Sequence, residues 1–212
     1  MRTLSRVICA GALGVGLWLI AIQGTATQAS PILVFGDSLS AGYGLRPGEG
    51  WVPLLQKRLQ EQGYVTPVIN ASVSGETSGG GMQRLPRALE LHKPSLVILE
   101  LGANDGLRGL PVAETRANLE KMIDTARAAG AQVLLVGMRM PPNYGPRYTA
   151  DFRQMYEDMA QRDHLPLVPF LLESVALNPA LMQADGLHPN ARAAPVLLDT
   201  VWPRLVPLLG KH

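Results

Sequence analysis

Cysteine is nearly absent from this sequence. Its 212 residues contain one cysteine, Cys9, which excludes an intramolecular disulfide framework and any Cys-x-x-Cys metal or redox motif. Charged residues make up only 17% of the chain, and 19 basic residues almost balance 17 acidic ones. The sequence therefore offers no basic surface for nucleic acid, and we expect no nucleic-acid partner. Heptads, internal repeats and low-complexity tracts are also missing, which excludes coiled coils and solenoids.

The first 29 residues have the composition of a secretory signal. A start with two arginines is followed by an uncharged apolar run, Val7–Ile22, and then by small residues up to Ala29. We predict cleavage after Ala29, with Ala26 as the second choice. An uncleaved membrane anchor is the alternative, because the apolar run is somewhat long for a signal, although it is short for a span of about 20 residues. Cys9 lies near the start of the run, which argues against a lipoprotein.

Signal cleavage would leave residues 30–212 as the mature protein. Without the two arginines of the signal, its basic and acidic residues are equal in number. We expect this protein to be exported, to the periplasm or beyond it, to have no stable membrane span and to be a monomer.

Five apolar runs divide residues 30–212, and most are continuous rather than alternating. Continuous runs favour strands that are covered on both faces. Segments with helical periodicity separate them; Pro111, for example, is predicted to open a helix that Gly130 closes. The alternation predicts one α/β domain, a parallel sheet with helices on both faces. The runs are Ile32–Phe35, Val65–Ile69, Leu96–Leu101, Gln132–Met138 and Leu165–Val168.

The segment Gly36-Asp37-Ser38 follows the first run, and ligands of such sheets bind at the carboxyl ends of the strands. Gly36 allows a sharp turn that would expose the Ser38 hydroxyl as a nucleophile; an ordinary polar loop serine is the alternative. We expect Asp37 to bond backbone N–H groups of the turn rather than to react. The Gly-x-Ser-x-Gly elbow is absent, which argues against the α/β-hydrolase superfamily.

Three further segments follow the second and third runs. Gly75 could present its N–H to a bound oxygen, or it could simply be a turn glycine. Asn104, in Gly102-Ala103-Asn104-Asp105, offers a neutral amide for a developing oxyanion, or a loop cap. Glu100 lies within an apolar run, where a structural hydrogen bond is the favoured interpretation. The glycine run at residues 79–81 lacks the Lys-Ser/Thr of a phosphate loop.

His188 is the one histidine of four that we select for chemistry. It follows Asp185 by three residues in Asp185-Gly186-Leu187-His188, close enough in a turn for the carboxylate to bond Nδ1 and select the tautomer. Two ligands do not make a metal site, so we expect no metal. A nucleophile, a base with its orienting acid and oxyanion donors at one sheet edge are what acyl transfer through a covalent intermediate requires.

These segments resemble the four sequence blocks of the SGNH (GDSL) hydrolases, in the same order and separation. Within that family, the chain is most similar to the bacterial TesA-type group of thioesterases, proteases and lysophospholipases. The resemblance covers nearly all of residues 30–212 and implies a flavodoxin-like three-layer fold, a five-stranded sheet of order 2-1-3-4-5, and no cofactor. The blocks are Gly36-Asp37-Ser38-Leu39, Gly75, Gly102-x-Asn104-Asp105 and Asp185-x-x-His188.

The resemblance also implies a role for each residue of the site. Ser38 would be the nucleophile, His188 the general base and Asp185 the acid that orients it. The backbone N–H groups of Ser38 and Gly75, with the Asn104 amide, would bind the oxyanion. The implied activity is hydrolysis of fatty-acyl and aryl esters, acyl thioesters and lysophospholipids.

Apolar side chains on loops near the expected site suggest a surface for an acyl chain, although they could pack on one another instead. Arg108 could meet a phosphate group of a substrate or be a solvated loop arginine. An exported carbohydrate deacetylase is the alternative enzyme, and a non-catalytic binding module is the alternative class. The candidate substrate residues are Leu107, Arg108, Leu110, Pro142, Tyr144 and Leu187, in a cluster that also includes Met138, Met140 and Pro141.

Overall fold

The computed structural model describes residues 30–210. The predicted signal, residues 1–29, and its cleavage site lie outside the described residues. Five strands alternate with helices: β1 (Ile32–Gly36), β2 (Val68–Asn70), β3 (Leu96–Glu100), β4 (Gln132–Val136) and β5 (Leu167–Val168). The helices are α1 (Ser38–Ala41), α2 (Trp51–Glu61), α3 (Ser78–His92), α4 (Ala103–Leu107), α5 (Val112–Ala128), α6 (Pro146–Arg162) and α7 (Ala194–Leu205).

The five strands form one parallel sheet in the order β2-β1-β3-β4-β5. This confirms the predicted α/β class and the strand order that the family resemblance implied. Every residue of β1 and β3 is buried, because α2 and α7 pack together as one layer while α3, α5 and α6 form another. Parallel strands covered on both faces need the continuous apolar runs that the sequence shows.

Both edge strands begin later than predicted, and in each case a proline precedes the first residue. β2 begins at Val68, after Pro67, and β5 begins at Leu167, after Pro166. A proline has no N–H to donate to a neighbouring strand, so each ladder starts after it. Val65, which the prediction placed in β2, is 84% exposed.

The glycine run at residues 79–81 lies in the first turn of α3 and serves helix packing. A Cβ on Gly81 would lie 2.4 Å from Leu101 Cδ1, and one on Gly80 would meet the carboxylate of Glu76. The helix therefore lies too close to the sheet for larger side chains. Thr77 caps it by accepting the Gly80 N–H at 3.3 Å.

Within residues 30–210, no helix is both long and apolar enough to span a bilayer.

α5 runs from Val112 to Ala128 between Pro111 and Gly130, as predicted, and Gly130 has the left-handed φ of 84° that ends such helices.

Candidate active site

The turn after β1 presents Ser38 at the first position of α1. Asp37 is the N-cap of this helix, and its Oδ1 accepts the Leu39 N–H at 3.0 Å. This is the backbone-bonding role expected from the sequence. The Ser38 side chain then meets the imidazole of His188, with 2.9 Å between Oγ and Nε2. Two residues that are 150 positions apart in the sequence thus come into hydrogen-bond contact.

A tight turn holds His188 against Asp185. One carboxylate oxygen of Asp185 accepts the backbone N–H groups of Leu187 and His188 at 2.9 and 3.0 Å, and the other lies 2.7 Å from His188 Nδ1. The backbone bond from His188, then its side-chain bond, lowers the pKa of Asp185 to about 2. The carboxylate stays ionised at neutral pH, and it favours the tautomer with the proton on Nδ1. Nε2 is then free to accept the Ser38 hydroxyl proton.

Asn104 lies in α4, at the end of β3, and reaches both neighbouring loops. Its Nδ2 donates to Asp37 Oδ2 at 3.1 Å and to the backbone oxygen of Glu76 at 3.0 Å. Gly75 precedes Glu76 in an exposed turn, with a φ of 79°. Within residues 30–210, the N–H groups of Gly75 and Ser38 have no hydrogen-bond acceptor. The geometry thus brings the three predicted oxyanion donors to one edge of the sheet.

A second carboxyl group, Glu100, lies fully buried beneath the turn. Its Oε2 accepts the Ser40 hydroxyl at 2.7 Å and the Asp37 N–H at 3.3 Å, whereas its Oε1 has no partner among the described residues. Burial, reinforced by the charge of Asp37, raises the pKa of Glu100 well above its ordinary value. Burial also raises the pKa of Asp37 to about 6. Burial therefore favours the neutral form of Glu100, and this side chain supports the Ser38 turn from below.

The block that carries Asn104 is anchored by its next residue, Asp105, whose role the sequence analysis did not identify. Asp105 is buried and accepts the N–H and the hydroxyl of Ser78 at 2.8 and 2.5 Å. Asn118, from α5, donates to the same Ser78 hydroxyl at 3.0 Å. These bonds tie α4 to the start of α3. The only sequence signal for this role was the place of Asp105 in the third block.

The residues expected to bind substrate are partly brought together. The Tyr144 hydroxyl donates to the backbone oxygen of Leu107 at 2.8 Å. Arg108 is exposed, and its guanidinium donates to the backbone oxygen of Gly75 at 3.1 Å. Leu187 is 48% exposed beside His188, on a separate loop. The segments that carry Leu107 and Tyr144 thus meet. Arg108 stabilises the turn that carries Gly75.

The remaining candidates, Leu110 and Pro142, do not line the nearby open cleft but adjoin residues that do. Leu110 receives a hydrogen bond from the Tyr148 hydroxyl at 2.8 Å, and Pro142 is exposed at the start of a 3₁₀ turn that leads to Tyr144. The cleft has a volume of about 370 Å³. Its lining residues are Tyr144, Gly145, Pro146, Arg147, Tyr148 and Asp151.

The assignment of two apolar residues to the exposed cluster was wrong. Met138 and Met140 are 2% and 8% exposed and belong to the hydrophobic core. Met140 fills the space above Gly106, where a Cβ would lie 2.2 Å from its sulfur. The segment after β4 therefore folds back onto the core before it reaches the surface near Pro141, which is half-buried.

The fold and the hydrogen-bonded serine, histidine and aspartate define the class of SGNH-type hydrolases. The sequence profile of the GDSL-like lipase/acylhydrolase family matches residues 34–194. The chain belongs to this family.

Several relatives in the family are similar over most of the chain. Esterase TesA of Pseudomonas aeruginosa is 54% identical over 85% of this chain and 90% of its own. The arylesterase of Vibrio mimicus is 47% identical over 85% of this chain and 91% of its own. The thioesterase 1/protease 1/lysophospholipase L1 of Escherichia coli K12 is 42% identical over 92% of both chains. A crystal structure of TesA covers 84% of this chain and 99% of its own, with a TM-score of 0.82.

The buried Glu100 generates a prediction about stability. Burial favours the protonated form of this carboxyl in the folded protein, whereas the unfolded chain releases its proton near pH 4.5. The free energy of unfolding of the wild type therefore falls above that pH, by at most about 1.4 kcal/mol per pH unit. Glu100→Gln has no proton to lose. Its stability relative to the wild type should rise between pH 5 and pH 8, as measured by urea unfolding.

Glu90→Gln, at an exposed glutamate, serves as the control and should not reproduce this trend. The free energies of unfolding of wild type and Glu100→Gln could instead differ by the same amount at pH 5 and at pH 8. That result would show that Glu100 is not held protonated.

Proposed function

We propose that Ser38, His188 and Asp185 are the catalytic triad of an esterase. The observation that carries the proposal is the unbroken chain from Ser38 Oγ to His188 Nε2, at 2.9 Å, and from His188 Nδ1 to Asp185, at 2.7 Å. Nucleophile, base and orienting acid occur at the spacing that acyl transfer needs. The family and the names of the relatives support ester and thioester hydrolysis as the reaction.

The reaction then runs in two steps. Ser38 Oγ attacks the acyl carbonyl carbon while its proton passes to His188 Nε2; the C–O or C–S bond breaks, and the same proton goes to the leaving alkoxide or thiolate. Water next attacks the acyl-enzyme, giving a proton to His188, and the ester bond to Ser38 breaks with return of that proton to Oγ. Asp185, ionised throughout, stabilises the imidazolium that forms in each step.

The oxyanion of each tetrahedral intermediate lies, in this proposal, between the N–H groups of Ser38 and Gly75 and the Asn104 amide. In the free enzyme, Asn104 donates to Asp37 and to the Glu76 backbone oxygen, and an amide has two N–H bonds to donate. Asn104 therefore turns or shares one of them when the oxyanion forms. Catalytic hydrogen bonds commonly tighten only in the reacting complex.

We propose small-molecule and lipid acyl esters, acyl thioesters, aryl esters and lysophospholipids as substrates, with medium to long acyl chains. The cavity directly beside Ser38 and His188 has a volume of only about 10 Å³, too small for a chain. The larger cleft at Tyr144 adjoins Leu107, the last residue of the short helix that carries Asn104. An acyl chain would therefore extend from the oxyanion donors along α4 towards Tyr144.

The alternative of a carbohydrate deacetylase is not favoured, because the relatives are named as esterases, thioesterases and lysophospholipases. A binding module is not favoured either, since Ser38, Asn104, Asp185 and His188 are all in place. Every group in the proposed mechanism comes from one chain, which supports action as a monomer without a cofactor. The charge balance of the mature chain supports the absence of a nucleic-acid partner.

The triad assignment predicts the kinetics of three variants. Ser38→Ala and His188→Ala should each nearly abolish hydrolysis of p-nitrophenyl esters, because each removes a group that forms or breaks bonds. Asn104→Ala should lower kcat about 10²- to 10³-fold, the usual cost of one oxyanion donor. An Asn104→Ala enzyme with wild-type kcat would refute the oxyanion role of Asn104, and an active Ser38→Ala enzyme would refute the mechanism.

The substrate assignment predicts a dependence on chain length. The kcat/KM for p-nitrophenyl esters should rise from C4 to C12, because each added methylene is buried in the cleft. Tyr144→Ala should lower kcat/KM for the C12 ester more than for the C2 ester, which serves as the internal control. A flat or falling series would contradict an acyl-chain site, and activity confined to C2 would favour a deacetylase.

We propose that residues 1–29 are a cleaved signal peptide and that the enzyme is exported, most simply to the periplasm. The charge pattern and the small residues before Ser30 support this. When the full chain is expressed in a bacterial host, the intact mass of the enzyme should correspond to a chain that begins at Ser30, or at Thr27. A mass that corresponds to a chain beginning at Met1 would show that the segment is retained.

A further inference from the structure

Gln183 makes an unusual number of bonds between the loop of His188 and the loop of Ser38. Its side-chain Nε2 donates to the backbone oxygens of Tyr43, at 2.7 Å, and of Pro189, at 2.9 Å. Its backbone N–H donates to the His188 oxygen at 2.7 Å. One residue thus bonds to both residues of the segment His188-Pro189 and to a loop 140 positions away in the sequence.

Tyr43 forms the other half of this connection. Its backbone N–H donates to the Ser38 oxygen at 3.1 Å. Its ring packs on the imidazole of His188, with 4.5 Å between the ring centroids and an angle of 39° between the planes. Tyr43 therefore contacts Ser38 through its backbone and His188 through its ring, while its carbonyl is held by Gln183.

These contacts form a path from Ser38 to His188 that does not use the catalytic hydrogen bond. The Ser38 oxygen accepts from Tyr43, the Tyr43 oxygen accepts from Gln183, and Gln183 donates to the His188 oxygen, at 3.1, 2.7 and 2.7 Å. The path and the bond between Ser38 Oγ and His188 Nε2 close a ring. The path runs through the side chain of Gln183 and is short, so it limits how far the backbones of Ser38 and His188 can separate.

The surrounding chain is shaped to admit the Gln183 amide. Gly44 has a φ of 74°, and a Cβ there would lie 2.2 Å from Gln183 Oε1. At the other end, Asn190 closes the base of the loop through bonds from Nδ2 to the backbone oxygens of Ala180 and Met182, at 2.9 and 3.1 Å. Room at Gly44 and a fixed loop base both favour one orientation of the amide.

We propose that Gln183 and Tyr43, hereafter the clamp, are positioning residues that set the distance between Ser38 and His188. This inference rests on the proposed triad. The two bonds from Nε2 use both N–H bonds of the Gln183 amide, and among neutral side chains only a primary amide has two N–H bonds on one atom. A carboxylate of the same shape has no donor and would face two carbonyl oxygens with a negative charge.

The test compares Gln183→Glu and Gln183→Ala with a matched control, Gln56→Ala. Gln56 is also half-buried, and it also bridges two elements by accepting the Val68 N–H at 2.7 Å. Gln56 lies in α2, and its partner Val68 is the first residue of β2, away from the carboxyl ends of the strands. For each enzyme we would measure kcat and KM on a C8 p-nitrophenyl ester, the rate of labelling by a fluorophosphonate, and Tm.

Both Gln183 variants should lose about 10- to 100-fold in kcat and in labelling rate, the cost of a small misplacement of reacting groups, while KM changes less than threefold. Gln56→Ala should keep the wild-type kcat even if its Tm falls as far as the Tm of the Gln183 variants. Lowering the pH should partly restore Gln183→Glu relative to Gln183→Ala, because the introduced carboxyl group gains one donor when it is protonated.

Folded Gln183 variants with wild-type kcat and labelling rate would overturn the clamp. So would a loss of kcat in Gln56→Ala equal to that in Gln183→Ala at the same Tm, since the effect would then be one of general stability. Wild type and Ser38→Ala are measured in parallel. Failure of the wild type to react, or activity in Ser38→Ala, would overturn the proposed triad itself, a result distinct from failure of the clamp alone.

Discussion

The buried carboxylate of Asp37 connects three parts of the site. One oxygen caps α1 through the Leu39 N–H, the other accepts the Asn104 amide, and the Asp37 N–H is bound by Glu100. Burial raises the pKa of Asp37 to about 6. At a pH above the ordinary pKa of an aspartate, the ionised form of this group therefore costs the folded protein free energy that it does not cost the unfolded chain. The hydrogen bonds from the Leu39 N–H and the Asn104 amide act against burial and offset part of that cost, and they hold the Ser38 turn and Asn104 in a fixed relation.

The sheet was predictable where burial on both faces leaves a sequence signal. β1 and β3 lie within their predicted runs, apart from the terminal Gly36 of β1, because burial on both faces favours apolar residues at every position but the last, where β3 has Glu100. The edge strands were misplaced because their limits depend on backbone donors: Pro67 and Pro166 remove an N–H just before each ladder. An apolar run records burial but not hydrogen bonding, so Val65 was wrongly included.

The site was predictable where chemistry restricts the residue type. The sequence could single out Ser38, His188 and Asp185 as the proposed nucleophile, base and acid because few side chains can do that work, and the structure brings the three into hydrogen-bond contact. Gln183 and Tyr43 escaped notice because they act on backbone oxygens, which every residue has, and their partners are distant in the sequence. Met138 and Met140 were wrongly placed on the surface because an apolar loop residue looks the same whether it covers a substrate or the core.

Two carboxylates, Asp185 and Asp37, lie beside Ser38 and His188, and their environments differ. Asp185 is partly exposed and has three hydrogen bonds from N–H groups, so its pKa falls to about 2, whereas burial raises that of Asp37 to about 6. The acid with the low pKa can stabilise an imidazolium throughout turnover without taking its proton. Asp37 adjoins Ser38 in sequence, but its oxygens are occupied by Leu39 and Asn104. In the proposed triad, the acid is therefore Asp185, which bonds His188 Nδ1, and not Asp37, which is closer to Ser38 in sequence.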